Sequence, residues 1–162
     1  MPDMLVHLLK LPPVEPLLNT LHEQGVTVRR ARPFEIGAIR MFIEEHFSKG
    51  WADEVIPCYS RQPISLLIAT RAGQVIGFAA YEATMRGFFG PTGVMEAERG
   101  KEIGKALLLA SLWGMREMGY AYGIIGGAGP TEFYTKACGA TVIPGSTPGI
   151  YTDMLRASPM PE

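Results

Sequence analysis

The chain has 162 residues, of which 47% are hydrophobic and 19% charged, and its formal net charge is −1. These values predict one folded domain with a sizeable core and exclude a disordered chain. Basic residues are scattered apart from Arg29, Arg30 and Arg32, which argues against a nucleic-acid partner. No apolar run reaches the length of a membrane span, so no membrane partner is expected.

The two cysteines, Cys58 and Cys138, lie far apart and form no cluster with metal-ligand spacing, so no metal site is predicted. Separate thiols suit a reducing compartment. Residues 4–11 are apolar but lack the basic start and small-residue cleavage site of a signal peptide. A cytoplasmic location is therefore expected.

Residues 1–25 are predicted to form an N-terminal helical extension. Pro16 suits the first turn of a helix, and Gly25 suits its end. Leu17, Leu18 and Leu21 would share one face of this helix and pack either on the rest of the chain or on a second copy. The second option makes a homodimer a candidate assembly.

Residues 26–155 are predicted to form the main domain, followed by a tail over residues 156–162. Alternating and buried apolar runs favour strands, and apolar residues at helical spacing favour helices. The order indicates a single-domain mixed α/β fold, with a mostly antiparallel sheet flanked by helices. The predicted strands span 26–31, 66–69, 74–81, 88–94, 120–125, 141–143 and 150–154, the predicted helices span 33–47, 104–118 and 130–137, and residues 48–62 are expected to be irregular.

A turn rich in charge and glycine joins the strand that ends at Val94 to the helix that begins near Gly104. Free amides and the helix dipole at such a junction favour a phosphate or diphosphate. A Walker loop is excluded because Lys105 is followed by Ala106. A dinucleotide fingerprint after residue 125 is excluded because Glu132 stands where its third glycine should be.

This junction resembles the acyl-CoA loop of the GNAT acetyltransferases, Arg/Gln-x-x-Gly-x-Gly/Ala after a strand. Arg99 and Gly104 fit its first and last positions, whereas Glu102 replaces the middle glycine. The order of elements over residues 26–154 is also similar to the GNAT fold. The resemblance implies that acetyl-CoA is the co-substrate. The residues implied to bind it are Val94, Met95, Arg99, Gly100, Lys101, Glu102, Ile103, Gly104 and Lys105.

Residues 132–140 resemble the Phe-Tyr-x-Lys-x-Gly-Phe segment of many GNAT enzymes, although the glycine comes one residue late and Ala140 replaces the aromatic residue. The resemblance implies that Tyr134 is the general acid that protonates the leaving thiolate. An unperturbed phenol, with a pKa of about 10, is protonated at neutral pH and can supply that proton. The alternative is a helix residue with its hydroxyl at the surface.

The general base is expected among carboxylates near the acceptor. Glu82 is favoured because it ends a strand beside the glycine-rich strand, and Asp53 or Glu54 are alternatives. The amino-acid sequence of residues 77–84, 88–94 and 148–155 is similar to that of a GNAT subgroup associated with amino-sugar acceptors. The residues expected to bind the acceptor are Trp51, Asp53, Glu54 and Tyr59.

The sequence therefore predicts an N-acetyltransferase that moves an acetyl group from acetyl-CoA to a primary amine of a small molecule by direct attack. A glucosamine-like amine is the first candidate acceptor. The alternatives are a non-catalytic acyl-CoA-binding module and a dimerisation module on the same fold.

Overall fold

Seven strands form one mixed sheet in the order β2-β3-β4-β5-β6-β1-β7 in a computed structural model that describes residues 1–155. Neighbouring strands are antiparallel except for β5 and β6, which are parallel. The predicted fold class is confirmed. The strands are β1 Met4–His7, β2 Val26–Arg30, β3 Leu66–Arg71, β4 Gln74–Tyr81, β5 Phe88–Val94, β6 Tyr122–Ile125 and β7 Thr141–Val142, and the helices are α1 Glu15–Glu23, α2 Ile36–His46, α3 Lys49–Glu54, α4 Ile103–Glu117 and α5 Thr131–Cys138.

The first residues of the chain belong to the sheet. β1 lies between β6 and β7, and Met4 and Val6 are fully buried there. The prediction that residues 1–25 form a helical extension is therefore wrong for β1, although α1 is present. The error has a physical cause, because a four-residue strand is specified by its pairing with Tyr122–Ile125, which lies far away in the sequence.

Helix α1 packs on the chain's own core. Leu21 is buried, and Leu17 and Leu18 contact the same core cluster as α4. These leucines are thus covered within one chain, so α1 does not supply the dimer surface that its composition suggested.

The helices cover both faces of the sheet. Helix α4 lies against β3, β4 and β5 and supplies Leu107, Leu112 and Met115 to the larger core cluster. Helices α2 and α3 cover the other face, where Ile39 and Ile43 pack into a second cluster. Burial of these apolar side chains on two faces is the main stabilising contribution to the fold.

Two other predictions about local structure are wrong. Residues 48–62 are not irregular, because Ser48 caps α3 by accepting a hydrogen bond from the Trp51 amide at 3.1 Å, and a 3₁₀ helix follows at Ile56–Ser60. Residues 150–154 form no strand. The predicted tail, residues 156–162, lies outside the described residues.

The beginning of β5 pairs with the end of β6, where Phe88 lies opposite Ile124 and Phe89 opposite Ile125. Beyond Phe89, β5 continues to Val94 with β4 as its partner on the other side. The edge of β5 that faces β6 is therefore open over residues 90–94, and this opening positions the candidate site.

Candidate active site

The loop between β5 and α4 presents a series of free backbone amides. No backbone hydrogen bond among residues 1–155 is donated by an amide of residues 100–105, whereas the amide of Ala106 donates to the carbonyl oxygen of Glu102 at 3.1 Å. Gly100 adopts a φ of +78°, which bends the loop toward the helix. Consecutive unpaired amides at a helix N-terminus form a site suited to an anion.

Glu102, which stands where the GNAT pattern has its middle glycine, adopts a backbone conformation that favours glycine. Its φ is +69°, in the left-handed region that side chains disfavour. Its side chain is 60% exposed, and its carboxylate lies 3.9 Å from Lys105 Nζ. The backbone of the loop therefore follows a course that a glycine at position 102 would also allow. The carboxylate that Glu102 adds is largely exposed to solvent.

The charges around this loop are partly paired. The Glu98 carboxylate binds Arg71 at 3.0 Å and Lys101 at 3.0 Å, and these hydrogen bonds lower the pKa of Glu98. Lys101 is thus directed to Glu98. A cavity of about 460 Å³ beside the loop is lined by the cations Arg99, Lys105 and Lys136 and by the carboxylates of Glu98 and Glu102. Glu98 and Glu102 each lie within 4 Å of a lysine, so the cavity still offers amides and cations to a diphosphate.

Tyr134 lies in a second cavity, of about 500 Å³, which shares Val94, Arg99, Gly104 and Phe133 with the first. Its ring packs edge-on against Phe89, with the ring centroids 6.3 Å apart, and only 6% of the residue is exposed. Burial raises the pKa of Tyr134 to about 12, so the phenol holds its proton at neutral pH.

A third cavity, of about 250 Å³, continues from the second and shares seven lining residues with it. Its lining includes Trp51, which also lines the second cavity, and Glu54, Thr84 and Tyr151, which do not. Trp51 stacks on Phe47 with the ring centroids 5.7 Å apart. The shared residues are Met1, Trp51, Phe89, Gly90, Pro91, Gly126 and Gly127.

Asp3 holds the rim of the third cavity in place. Its carboxylate accepts a hydrogen bond from the Gly127 amide at 2.8 Å, and its own amide donates to Ser146 Oγ at 2.8 Å. The segment that carries Thr147 and Tyr151 is thereby attached to the N-terminal strand. The N-terminal residues thus help to shape the candidate site as well as the sheet.

Glu82, the predicted general base, is not among the residues that line these cavities. It is only 2% exposed and has a φ of +58°, and its carboxylate accepts a hydrogen bond from the Gly87 amide within the turn between β4 and β5. The prediction for Glu82 is corrected accordingly, because its carboxylate closes a turn and is turned away from the cleft.

Asp53, Tyr59, Met95 and Lys101 are also absent from the cavity linings, whereas Trp51 and Glu54 are present. Asp53 forms an ion pair with Arg40 at 2.9 Å. The Tyr59 hydroxyl donates to the Arg32 carbonyl oxygen at 3.2 Å.

Several lining residues escaped the sequence analysis, above all Thr84, Phe89, Phe133, Lys136 and Tyr151. Phe133 and Lys136 lie three residues apart on α5 and share one face, so helical spacing was an available signal for them. Tyr151 lies within residues 148–155, whose similarity to a GNAT subgroup pointed to that segment but not to Tyr151 itself.

No protein-family model matches the chain, and neither does any curated protein. Among solved structures, a GCN5-related glucosamine N-acetyltransferase region of a fungal multi-domain GH3 β-N-acetylglucosaminidase matches 88% of the chain with a TM-score of 0.72 and 15% identity. A GCN5-related N-acetyltransferase from Sphaerobacter thermophilus matches 88% with a TM-score of 0.67 and 22% identity. The chain has the GNAT fold. A GNAT-family acetyltransferase from Colwellia psychrerythraea also shares this fold, with a TM-score of 0.59 over 87% of the chain and 14% identity.

The GNAT fold found here spans only part of each of these larger proteins. The chain covers 19% of the fungal protein, 48% of the Sphaerobacter protein and 52% of the Colwellia protein. Within residues 1–155, no group of three or more His, Cys, Asp or Glu side chains could hold a metal ion. Over the same residues, no helix is both long and apolar enough to cross a membrane.

Proposed function

We propose that the protein is an N-acetyltransferase that moves an acetyl group from acetyl-CoA to a primary amine of a small molecule. The observation that supports this proposal is the series of unpaired amides at residues 100–105. These amides lie at one end of a cleft that passes Tyr134 and continues to the third cavity. The loop suits a diphosphate, and the cleft beyond it suits a narrow pantetheine arm and an acceptor.

Each part of the cleft has a proposed role in direct transfer. The loop amides, Arg99 and Lys105 hold the diphosphate, and the open edge of β5 pairs with the amides of the pantetheine arm. The nitrogen of the neutral amine attacks the thioester carbon, a nitrogen–carbon bond forms as the carbon–sulfur bond breaks, and the nitrogen loses one proton to solvent. The Tyr134 phenol gives its proton to the leaving thiolate and regains one from solvent.

An amino sugar is the first candidate acceptor. The fungal neighbour is described as a glucosamine N-acetyltransferase region, and the sequence is similar to a GNAT subgroup associated with such acceptors. The third cavity, at about 250 Å³, has the dimensions of a small ring-shaped acceptor, and Trp51 offers a flat face against which a ring can pack.

A non-catalytic acyl-CoA-binding module is the second candidate. The observation that favours it is Glu102, which adds a negative charge to the loop where the GNAT pattern has glycine. In such a module the cleft would bind acetyl-CoA, but no thiol would be released when an amine is added.

The release of free thiol from acetyl-CoA in the presence of glucosamine tests the enzyme, with the N-acetylated product identified by mass. Tyr134→Phe should lower kcat by about 100-fold or more, because general acids contribute factors of this size. Tyr122→Phe is the matched control, since Tyr122 is 53% exposed on β6 and lines none of the cavities.

Thermal unfolding tests what the two candidates share, and turnover separates them. Acetyl-CoA, but not ATP or NAD, should raise Tm in either case, because a ligand that binds only the folded state stabilises it. Binding of acetyl-CoA without turnover across a broad panel of amines would favour the module. No stabilisation by acetyl-CoA would contradict both.

A further inference from the structure

The third cavity contains a single carboxylate, that of Glu54, and no other side chain of its lining carries a formal charge. The rest of the wall is largely apolar and includes Trp51, Phe89, Pro148 and Tyr151. One carboxylate in an apolar wall is the arrangement expected for binding one cation, because either partner is costly to bury alone.

One direct hydrogen bond positions the Glu54 carboxylate. Thr84 Oγ1, in the turn after β4, donates a hydrogen bond to Glu54 Oε1. Oε2 accepts no hydrogen bond from the residues that the structure describes, so it remains available to a ligand. Arg40 donates to the Ala52 carbonyl oxygen at 3.3 Å and binds Asp53 at 2.9 Å, which holds the end of α3.

The ion pair between Arg40 and Asp53 holds the Asp53 carboxylate away from the cavity, so the charge that faces the cavity is that of Glu54. Asp53 and Glu54 are adjacent on α3, but Asp53 points to Arg40 whereas Glu54 lines the cavity. Arg40 is therefore engaged by Asp53 and is not among the lining residues, so no Lys, Arg or His side chain of the cavity wall is a partner for Glu54. A bound ammonium would supply that partner.

Aromatic rings lie on the same wall. Trp51, one turn before Glu54 on α3, is 38% exposed, and Tyr151 packs over Gly127, where a Cβ atom would lie 3.1 Å from its ring. Burial raises the pKa of Tyr151, and the negative charge of Glu54 raises it further, which is consistent with the two side chains lying near each other. The cavity thus offers flat faces beside one charge.

We propose that Glu54 binds the ammonium group of the acceptor and thereby selects small, ring-bearing primary amines that carry a single positive charge, with Thr84 positioning the carboxylate. This inference rests on the proposed acetyl transfer. A proton leaving the ammonium can pass to Glu54 Oε2 and on to solvent. A second positive charge or a carboxylate on the acceptor would enter the apolar wall without a partner and would be disfavoured.

The test uses three proteins, the wild type, Glu54→Gln and Glu45→Gln. The glutamine at position 54 keeps the size of the side chain and an oxygen for Thr84 but removes the charge. Glu45→Gln removes an exposed carboxylate of α2 that lies outside the cavity. Turnover with acetyl-CoA is measured for glucosamine, phenethylamine, spermidine and glutamate, and amine binding is measured by thermal shift without acetyl-CoA.

Glu54→Gln should lower kcat/KM for the best amine by about 10- to 100-fold, mainly through KM, because a charge-assisted hydrogen bond to the ammonium is lost. Its thermal shift with acetyl-CoA should equal that of the wild type, and the activity of Glu45→Gln should remain within about twofold of the wild-type value. Glucosamine and phenethylamine distinguish a sugar ring from an aromatic ring, and either preference supports the inference.

The inference is overturned if Glu54→Gln binds and acetylates amines as well as the wild type, or if spermidine or glutamate is the preferred acceptor. It is also overturned if the wild type shows no binding or turnover with any single-charge ring amine while it is stabilised by acetyl-CoA. A wild type that acetyl-CoA does not stabilise contradicts the proposed function instead, so the two failures are distinguishable.

Discussion

The amide of Met95 donates a hydrogen bond to the carbonyl oxygen of Ile76 at 2.9 Å, and this bond determines which backbone groups can face the cleft. Hydrogen-bonding groups alternate between the two sides of a strand, so the groups of Val94 point away from β4. The carbonyl oxygen of Val94 accepts a hydrogen bond from Arg99 Nε at 3.1 Å, which leaves its amide facing the opening. Of the two residues predicted to pair with pantetheine, only Val94 is therefore suitably oriented.

Proline substitutions at Val94 and Met95 should affect different properties, acetyl-CoA binding in one case and stability in the other. Val94→Pro removes the amide that faces the opening and should weaken acetyl-CoA binding by about 5- to 10-fold, the loss expected for one hydrogen bond. Met95→Pro removes the bond to Ile76 and should mainly lower stability, by about 1 kcal/mol or more. Isothermal titration with acetyl-CoA and urea unfolding measure the two effects. Equal weakening of binding in both variants at equal stability would contradict this assignment of sides.

Glu102→Gly should stabilise the protein and strengthen acetyl-CoA binding. Glycine adopts the observed φ of +69° without the penalty of about 1 kcal/mol that a side chain incurs. The change also removes a carboxylate that repels the diphosphate, although Lys105 and solvent already screen it. Urea unfolding and a salt titration of acetyl-CoA affinity test this. Glu102→Ala is the control, since it removes the charge but keeps the strained φ. A less stable glycine variant would contradict the expectation.

Much of the fold was predictable because its signals are local. The bounds predicted for β4 and β5 match the structure, since the apolar residues of each strand and the turns beside it lie close together in the sequence. β1 was not predictable in the same way, because Met4 gains its partner Ile125 only in the folded chain. Nothing within residues 1–25 indicates that this partner exists.

The loop of the candidate site was also a local feature, because six consecutive amides belong to one stretch of sequence. The third cavity is assembled from residues far apart, such as Glu54, Thr84 and Tyr151, and was anticipated only in part. The sequence could not show that Glu54 faces the cleft and Asp53 does not, since adjacent helix residues differ by about 100° in direction. It also could not show that Glu82 enters a left-handed turn.

The rate of acetyl transfer should not fall at alkaline pH through ionisation of Tyr134 until the pH approaches about 12, the value to which burial raises its pKa. An exposed phenol would lose its proton near pH 10. A pH–rate profile of the wild type with a saturating amine measures this. An alkaline limb with a midpoint near 10 that disappears in Tyr134→Phe would show that Tyr134 is not buried during turnover.

The same shift predicts how stability depends on pH. Since the folded state keeps the Tyr134 proton to about pH 12 and the unfolded state loses it near pH 10, the folded state binds more protons between these values. The contribution is therefore fully present below about pH 10 and is lost as pH rises toward 12. Urea unfolding should show a smaller alkaline loss in Tyr134→Phe than in the wild type, and an equal loss in both would contradict the shift.

Gly127→Ala should disturb the acceptor end of the cleft without affecting the acetyl-CoA loop. Gly127 has a φ of +53°, and an added Cβ atom would lie 3.1 Å from the Tyr151 ring, so the ring must move. We expect a several-fold rise in KM for the amine, a loss of about 1 kcal/mol in stability, and unchanged acetyl-CoA affinity. Gly129→Ala is the control, because its Cβ atom would meet only Met1 Sδ, at 3.4 Å, on an ordinary backbone. A loss of acetyl-CoA affinity as large as the rise in KM would mean that Tyr151 is not confined to the acceptor cavity.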